Sequence, residues 1–163
     1  MAKNKEEKTN VMRVLEQKKI AYTPHSYPHE EGIAVDGVTV AQSMGFDPAI
    51  VFKTLVARGA SKQYYVFDVP VAENLDLKKA AKAVGEKSIE MLHQKELLPL
   101  TGYVHGGCSP VGMKKLFPTV FHSSAENLAA MIVSAGKIGY QVELAPHDLA
   151  ALVRAKFADI IVE

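Results

Sequence analysis

A chain of 163 residues, 48% hydrophobic and 23% charged, is long enough to bury a core and has the balance of a globular protein. Its formal net charge of +1 gives no global argument for nucleic acid, so such a partner must rest on a local patch. The single cysteine, Cys108, excludes an intramolecular disulfide and a paired-cysteine metal knuckle and suits a cytoplasmic setting; the charged N-terminus lacks a secretory pattern, and no apolar run reaches the ~20 residues needed to cross a bilayer.

Residues 5–19 have helical periodicity, with Val11, Val14, Leu15 and Lys18 on one stripe. Ile20 to Tyr27 alternates loosely and contains Pro24, which suits an edge strand, and residues 28–37 read as a surface loop. Val38 to Met44 fits a short helix closed by Gly45. Asp47-Pro48 is a helix-start pair that opens one turn and leads into an apolar strand over Val51–Arg58. With a turn over 59–63 and a strand over Tyr64–Val69, this segment reads as a β-hairpin.

Asp76 caps a helix that runs through Val84 to Gly85, with Leu77, Ala80, Ala81 and Val84 inward and Lys78, Lys79 and Lys82 outward. Residues 88–98 are ambiguous and end in a short helix before Pro99. A glycine-rich loop spans Gly106–Gly112, a strand covers Thr119–Phe121, and a helix is expected over Ala125–Ala130. Strands at Met131–Ser134 and Gly139–Leu144 flank Ala135-Gly136-Lys137, and a helix over Pro146–Ala155 buries Leu149, Leu152 and Val153. Strands and helices intersperse without βαβ regularity, so the expectation is one α+β domain over 1–163, a mixed β-sheet or barrel with peripheral helices.

Neither a dinucleotide nor a P-loop fingerprint is present. Three features could carry chemistry. Lys53 stands inside the apolar run Val51-Phe52-Lys53-Thr54-Leu55-Val56. It is either the solvated face of an alternating strand or a cation held at a cleft for a phosphate or carbonyl oxygen. The loop Gly106-Gly107-Cys108-Ser109-Pro110-Val111-Gly112 is either an ordinary turn or a close approach of backbone N–H groups to an anion. Ser134-Ala135-Gly136-Lys137 reads first as a plain β-turn.

Taken together, these segments resemble the YbaK/EbsC family, which includes free-standing trans-editing proteins and the editing domain of bacterial prolyl-tRNA synthetases. The resemblance lies in Val51–Leu55, Thr101–Gly112 and Ile132–Gly139, with support from Leu75–Lys79 and Ala155–Ile160. It implies a YbaK-like fold and deacylation of mischarged aminoacyl-tRNA in trans, with Cys-tRNA(Pro) as the leading substrate. By position, Lys53 is the essential lysine, and Tyr27, Thr54, Gly106, Gly107, Ser109, Ser134 and Gln141 are pocket or positioning residues. Gln141 stands where many relatives carry an aspartate, so it can hydrogen-bond but cannot pair as an anion; Ala135 replaces a glycine.

The implied partners are the aminoacylated 3′ end of tRNA and prolyl-tRNA synthetase, with no cofactor, metal, membrane or DNA. A deacylase for alanyl-tRNA and a non-catalytic module for a tRNA end, amino acid or nucleotide are the alternatives. Cys108 reads as a small buried residue, since no partner base lies near it in sequence. Lys78, Lys79, Lys82, Lys114 and Lys115 are candidate RNA contacts or simply solvated lysines. His25 and His29 lack a third ligand for a metal.

Overall fold

The computed structural model describes residues 8–30 and 32–163. The first helix, α1 (Asn10–Gln17), starts where the Thr9 hydroxyl accepts the Met12 N–H, an N-cap that satisfies one orphan donor of the first turn. Val11, Met12 and Leu15 are buried, while Lys18, expected on that stripe, is exposed at the C-cap. The part of the expected helix over 5–7 lies outside the described residues.

Strand β1 (Thr23–Ser26) is an edge, as Pro24 requires, and pairs antiparallel with β7 (Tyr140–Leu144), which pairs antiparallel with β6 (Met131–Ser134). Helix α2 (Gly37–Met44) begins at Asp36, whose carboxylate accepts the Thr39 N–H. Gly45 ends it at φ 79°, in the left-handed region. A 3-10 turn over Pro48–Ile50, capped by Asp47, delivers the chain into the hairpin of β2 (Phe52–Gly59) and β3 (Tyr64–Pro70).

Helix α3 (Leu77–Val84) is capped by Asp76, which accepts two backbone N–H groups. Strand β4 (Ile89–Met91) then pairs antiparallel with β2. Helix α4 (Gln94–Thr101) does not stop before Pro99 but carries it inside and ends at Gly102. The proline ring cannot donate an N–H, but in so short a helix that removes one bond. Strand β5 (Thr119–His122) lies parallel to β3.

The helix expected over 125–130 is instead a 3-10 segment at Ser123–Asn127, with Leu128 already extended. Helix α5 (Pro146–Val153) ends at Arg154, a non-glycine residue at φ 58°. The chain then forms β8 (Ala155–Ala158), parallel to β5, a strand that the helical reading to Ala155 did not contain.

Two sheets result, one of three strands in the order β1-β7-β6 and one of five in the order β4-β2-β3-β5-β8. A parallel bridge between Val51 and Ile132 links them. The largest core lies between α1, α5 and the small sheet, with Leu15, Phe121, Val133, Val142 and Leu149 fully buried. A second core packs α3 on one face of β3 and β5, and a third sets Val56 and Val66 of the other face against Cys108 and Phe117. No helix among the described residues is long and apolar enough to cross a membrane.

Candidate active site

A cavity of about 400 Å³ opens where the start of β2 meets the small sheet, the entry to α2 and the loop after α4. That size accommodates a small organic moiety with its flanking group. Among the residues expected at a site, Tyr27, Lys53, Thr54, Gly106, Ser134 and Gln141 line it; Gly107 and Ser109 do not.

Lys53 and Thr54 are consecutive on β2, facing Val69 and Asp68 across the hairpin. Successive strand residues point to opposite faces, so both reach the cavity because it wraps the strand's end. Lys53 is half-buried. Burial lowers its pKa, and the carboxylates of Asp36 and Glu73 act in the opposite sense. Asp36 also lines the cavity and caps α2, so one carboxylate orders the helix entry and faces the lysine. The sequence reading placed Asp36 in a surface loop, and its cap spacing to Thr39 was the signal available.

Thr54 donates its hydroxyl proton to Asp68 Oδ1 at 2.5 Å. Asp68 is fully buried, and its Oδ2 has no hydrogen-bond partner among the described residues. Burial pushes its carboxyl up to about 7, with the Thr54 hydrogen bond pulling the other way. Nothing in the sequence reading pointed to Asp68; the signal was an acid in the middle of the apolar run Tyr64–Pro70.

The opposite wall comes from β6 and β7, where Ser134 faces Gln141 in register. Ser134 Oγ accepts the Gly136 N–H at 3.1 Å, and Ala135 N–H reaches the Tyr140 carbonyl. The turn is therefore held by its own side chain. Gln141 is 6% exposed, and its Oε1 has no partner among the described residues. Tyr27 is nearly buried, and burial raises its phenol pKa while a backbone hydrogen bond with Gly139 opposes this.

The glycine loop approaches from the third side. Gly106 sits at φ 91°, and a Cβ there would lie 2.7 Å from Ala34 Cβ, so both conformation and space demand glycine. Gly107 packs instead against the 137–138 backbone, and its N–H is committed to the Val104 carbonyl. Ser109 is fully buried and accepts the Val111 N–H, while the Tyr103 hydroxyl donates to the Val111 carbonyl. These two residues hold the loop's shape.

Cys108 lines the cavity, but burial, with the Asp68 charge nearby, pushes its thiol up to about 12. A thiol that keeps its proton at neutral pH is a poor nucleophile. None of the five candidate RNA-binding lysines lines the cavity. Lys79 is engaged by Asp159, Glu163 and the Ile161 carbonyl, and Lys114 donates to the Pro99 carbonyl. His25 pairs with Glu143, and His29 lies beyond the strand beside Tyr27 and Tyr140.

Comparison with known proteins adds to this geometry. Residues 34–152 match the aminoacyl-tRNA editing domain. A protein from Enterococcus faecalis named "Putative Cys-tRNA(Pro)/Cys-tRNA(Cys) deacylase EbsC" is 47% identical over 161 residues, covering 98% of each chain. Among solved structures, one described as "a putative trans-editing enzyme for prolyl tRNA synthetase" superposes with a TM-score of 0.79 at 25% identity, covering 94% of this chain and 95% of that one. A hypothetical protein superposes with a TM-score of 0.82 at 18% identity, covering 93% and 99%, a likeness of fold alone.

Proposed function

Since the chain belongs to the aminoacyl-tRNA editing domain family, we propose that it hydrolyses mischarged aminoacyl-tRNA in trans, with Cys-tRNA(Pro) as substrate. The observation that carries this reading is the half-buried Lys53 beside Thr54 and Gly106, in a cavity whose opposite wall is Ser134 and Gln141. A tRNA 3′ end brings a phosphate, a ribose and an aminoacyl ester. The Lys53 ammonium holds an anionic oxygen as a point charge, and the cavity takes the small side chain.

Hydrolysis adds water to the ester carbonyl carbon and breaks the bond to the ribose oxygen. That oxygen leaves with a proton as the 3′-hydroxyl, and the amino acid is released. Developing negative charge on the carbonyl oxygen needs donors fixed in advance, a task suited to Lys53 and the backbone around Gly106. The ester is already activated, so holding it in position supplies much of the rate. No protein nucleophile is required, and Cys108 with its raised pKa is a poor one. With a cysteinyl substrate, the substrate thiol is itself a nucleophile within reach of the ester.

The whole chain acts as one editing unit in the cytoplasm. Two of the five candidate lysines, Lys79 and Lys114, are held by internal contacts and none lines the cavity; this favours a weak grip on the tRNA body, with prolyl-tRNA synthetase presenting the substrate.

Deacylation of Cys-tRNA(Pro) and Ala-tRNA(Pro) by the wild type and Lys53→Ala tests the reading. Loss of the lysine is expected to lower kcat/KM on Cys-tRNA(Pro) about 100-fold or more. Cleavage of the alanyl substrate alone would change the substrate, and a wild type inert on both would overturn the deacylase reading.

A further inference from the structure

Asp68 is an expensive residue in its position. It is fully buried on β3, and only one of its two oxygens has a hydrogen-bond partner among the described residues. A buried carboxylate without a paired cation is costly, and an apolar residue there would favour the fold. Lys53 does not serve as its counter-charge. It is the neighbour of Thr54 on β2 and faces Val69 rather than Asp68, and the carboxylates acting on it are Asp36 and Glu73. A titratable group that does lie near Asp68, the Cys108 thiol, brings no positive charge.

What Asp68 does touch is Thr54. A hydroxyl has one proton and two acceptor lone pairs. With that proton committed to Asp68 Oδ1 at 2.5 Å, Thr54 has only lone pairs to offer the cavity it lines. Gln141 also lines the cavity, but its carbonyl oxygen is enclosed by the protein and has no partner among the described residues. The cavity is thus lined by an acceptor, the Thr54 oxygen, with a buried acid behind it. An N–H-bearing cation in the cavity satisfies that oxygen directly and offsets the charge behind it.

Resting on the deacylase reading, we infer that Asp68 is a positioning residue: by taking the Thr54 hydroxyl proton it makes Thr54 an acceptor, and the Thr54 oxygen, with Asp68 behind it, forms the subsite for the α-ammonium of the aminoacyl group. The acid missing at position 141 is supplied from behind the strand. The site then has two poles, with Lys53 for the anionic part of the tRNA end and the Asp68–Thr54 pair for the amine.

The experiment compares 3′-cysteinylamino-3′-deoxyadenosine with its N-acetyl derivative, binding measured by calorimetry on the intact protein, with deacylation of Cys-tRNA(Pro) run in parallel. The variants are Asp68→Leu, Thr54→Val and the double mutant, each checked for cooperative unfolding. The wild type is expected to bind the free amine about tenfold more tightly than the acetylated form. Each single variant reduces that ratio to below about threefold, and the double mutant loses no more than Thr54→Val alone, because Asp68 acts through Thr54.

A general structural role for Asp68 would weaken both ligands alike and leave the ratio intact, which overturns the inference. If Asp68→Leu does not fold, Thr54→Val decides: an unchanged ratio there overturns it equally. A wild type that prefers the free amine yet hydrolyses no aminoacyl-tRNA would sink the deacylase reading and leave the ammonium subsite standing.

Discussion

Asp68 makes stability depend on pH in the opposite sense to a surface ion pair. Its carboxyl titrates near 4 in an unfolded chain and is pushed up to about 7 in the fold, so the folded state holds the proton more tightly. Stability is therefore lost as pH rises from about 4 to about 7, and the loss is complete above that. Asp68→Asn, which keeps an acceptor for Thr54, is expected to be the more stable protein by about 2–4 kcal/mol at pH 8 and by less at pH 5. Thermal unfolding at the two values checks this; a difference that does not grow with pH would mean that Asp68 does not titrate in this range. At Gly106 the constraint is steric. Alanine would have to hold φ 91° and press its Cβ within 2.7 Å of Ala34 Cβ. Gly106→Ala is expected to cost about 1–3 kcal/mol and to raise KM as the loop shifts, measurable by denaturant unfolding and deacylation kinetics.

Short elements depend on their ends. α3 has two turns and buries Ala80 and Ala81 against the large sheet, but its start rests on Asp76, which accepts the N–H groups of Lys78 and Lys79. Asp76→Ala leaves both donors without their cap and is expected to cost about 1–2 kcal/mol, read from the midpoint of urea unfolding. The substitution touches nothing in the cavity, so kcat/KM is expected to stay at the wild-type value. At the other end of the chain, β8 exists because Arg154 accepts a left-handed conformation after α5 and turns the chain beside β5. Lys79 then fastens the segment after β8 through Asp159, Glu163 and the Ile161 carbonyl.

On the scale of the molecule, the cavity exists because two sheets meet at one place. The bridge between Val51 and Ile132 sets β2 beside β6, and so sets Lys53 and Thr54 opposite Ser134 and Gln141. Ile132 is fully buried between Ala41, Val51 and neighbours from α2. Ile132→Ala is expected to cost about 2–5 kcal/mol through the cavity it leaves. It should also lower kcat/KM, because the two walls lose their spacer; unfolding and kinetics on the same preparation separate the two effects. A truncation that destabilised the fold without touching kcat/KM would show that the walls keep their spacing without it.

Local rules determined much of this protein before any long-range contact was considered. Asp47, Asp76, Gly45 and Gly85 set helix ends through groups a few residues away, and the hairpin of β2 and β3 follows from two apolar runs around a short turn. The resemblance carried by Val51–Leu55 and Thr101–Gly112 placed Lys53, Thr54 and Gly106 at the site, and the structure brings these three to one cavity. The tertiary structure alone decided which neighbours line that cavity: Gly107 and Ser109, from the same loop as Gly106, turn inward to hold the loop's shape. It also decided the state of Asp68, since an acid in an apolar run could face water or a core. Only the sheet packed on both sides removes it from solvent and leaves Thr54 as its donor. The β8 strand and the loss of the helix over 125–130 belong to the same class, because strand pairing is settled by partners far along the chain. Burial and pairing across such distances are what a reading of neighbouring residues cannot weigh.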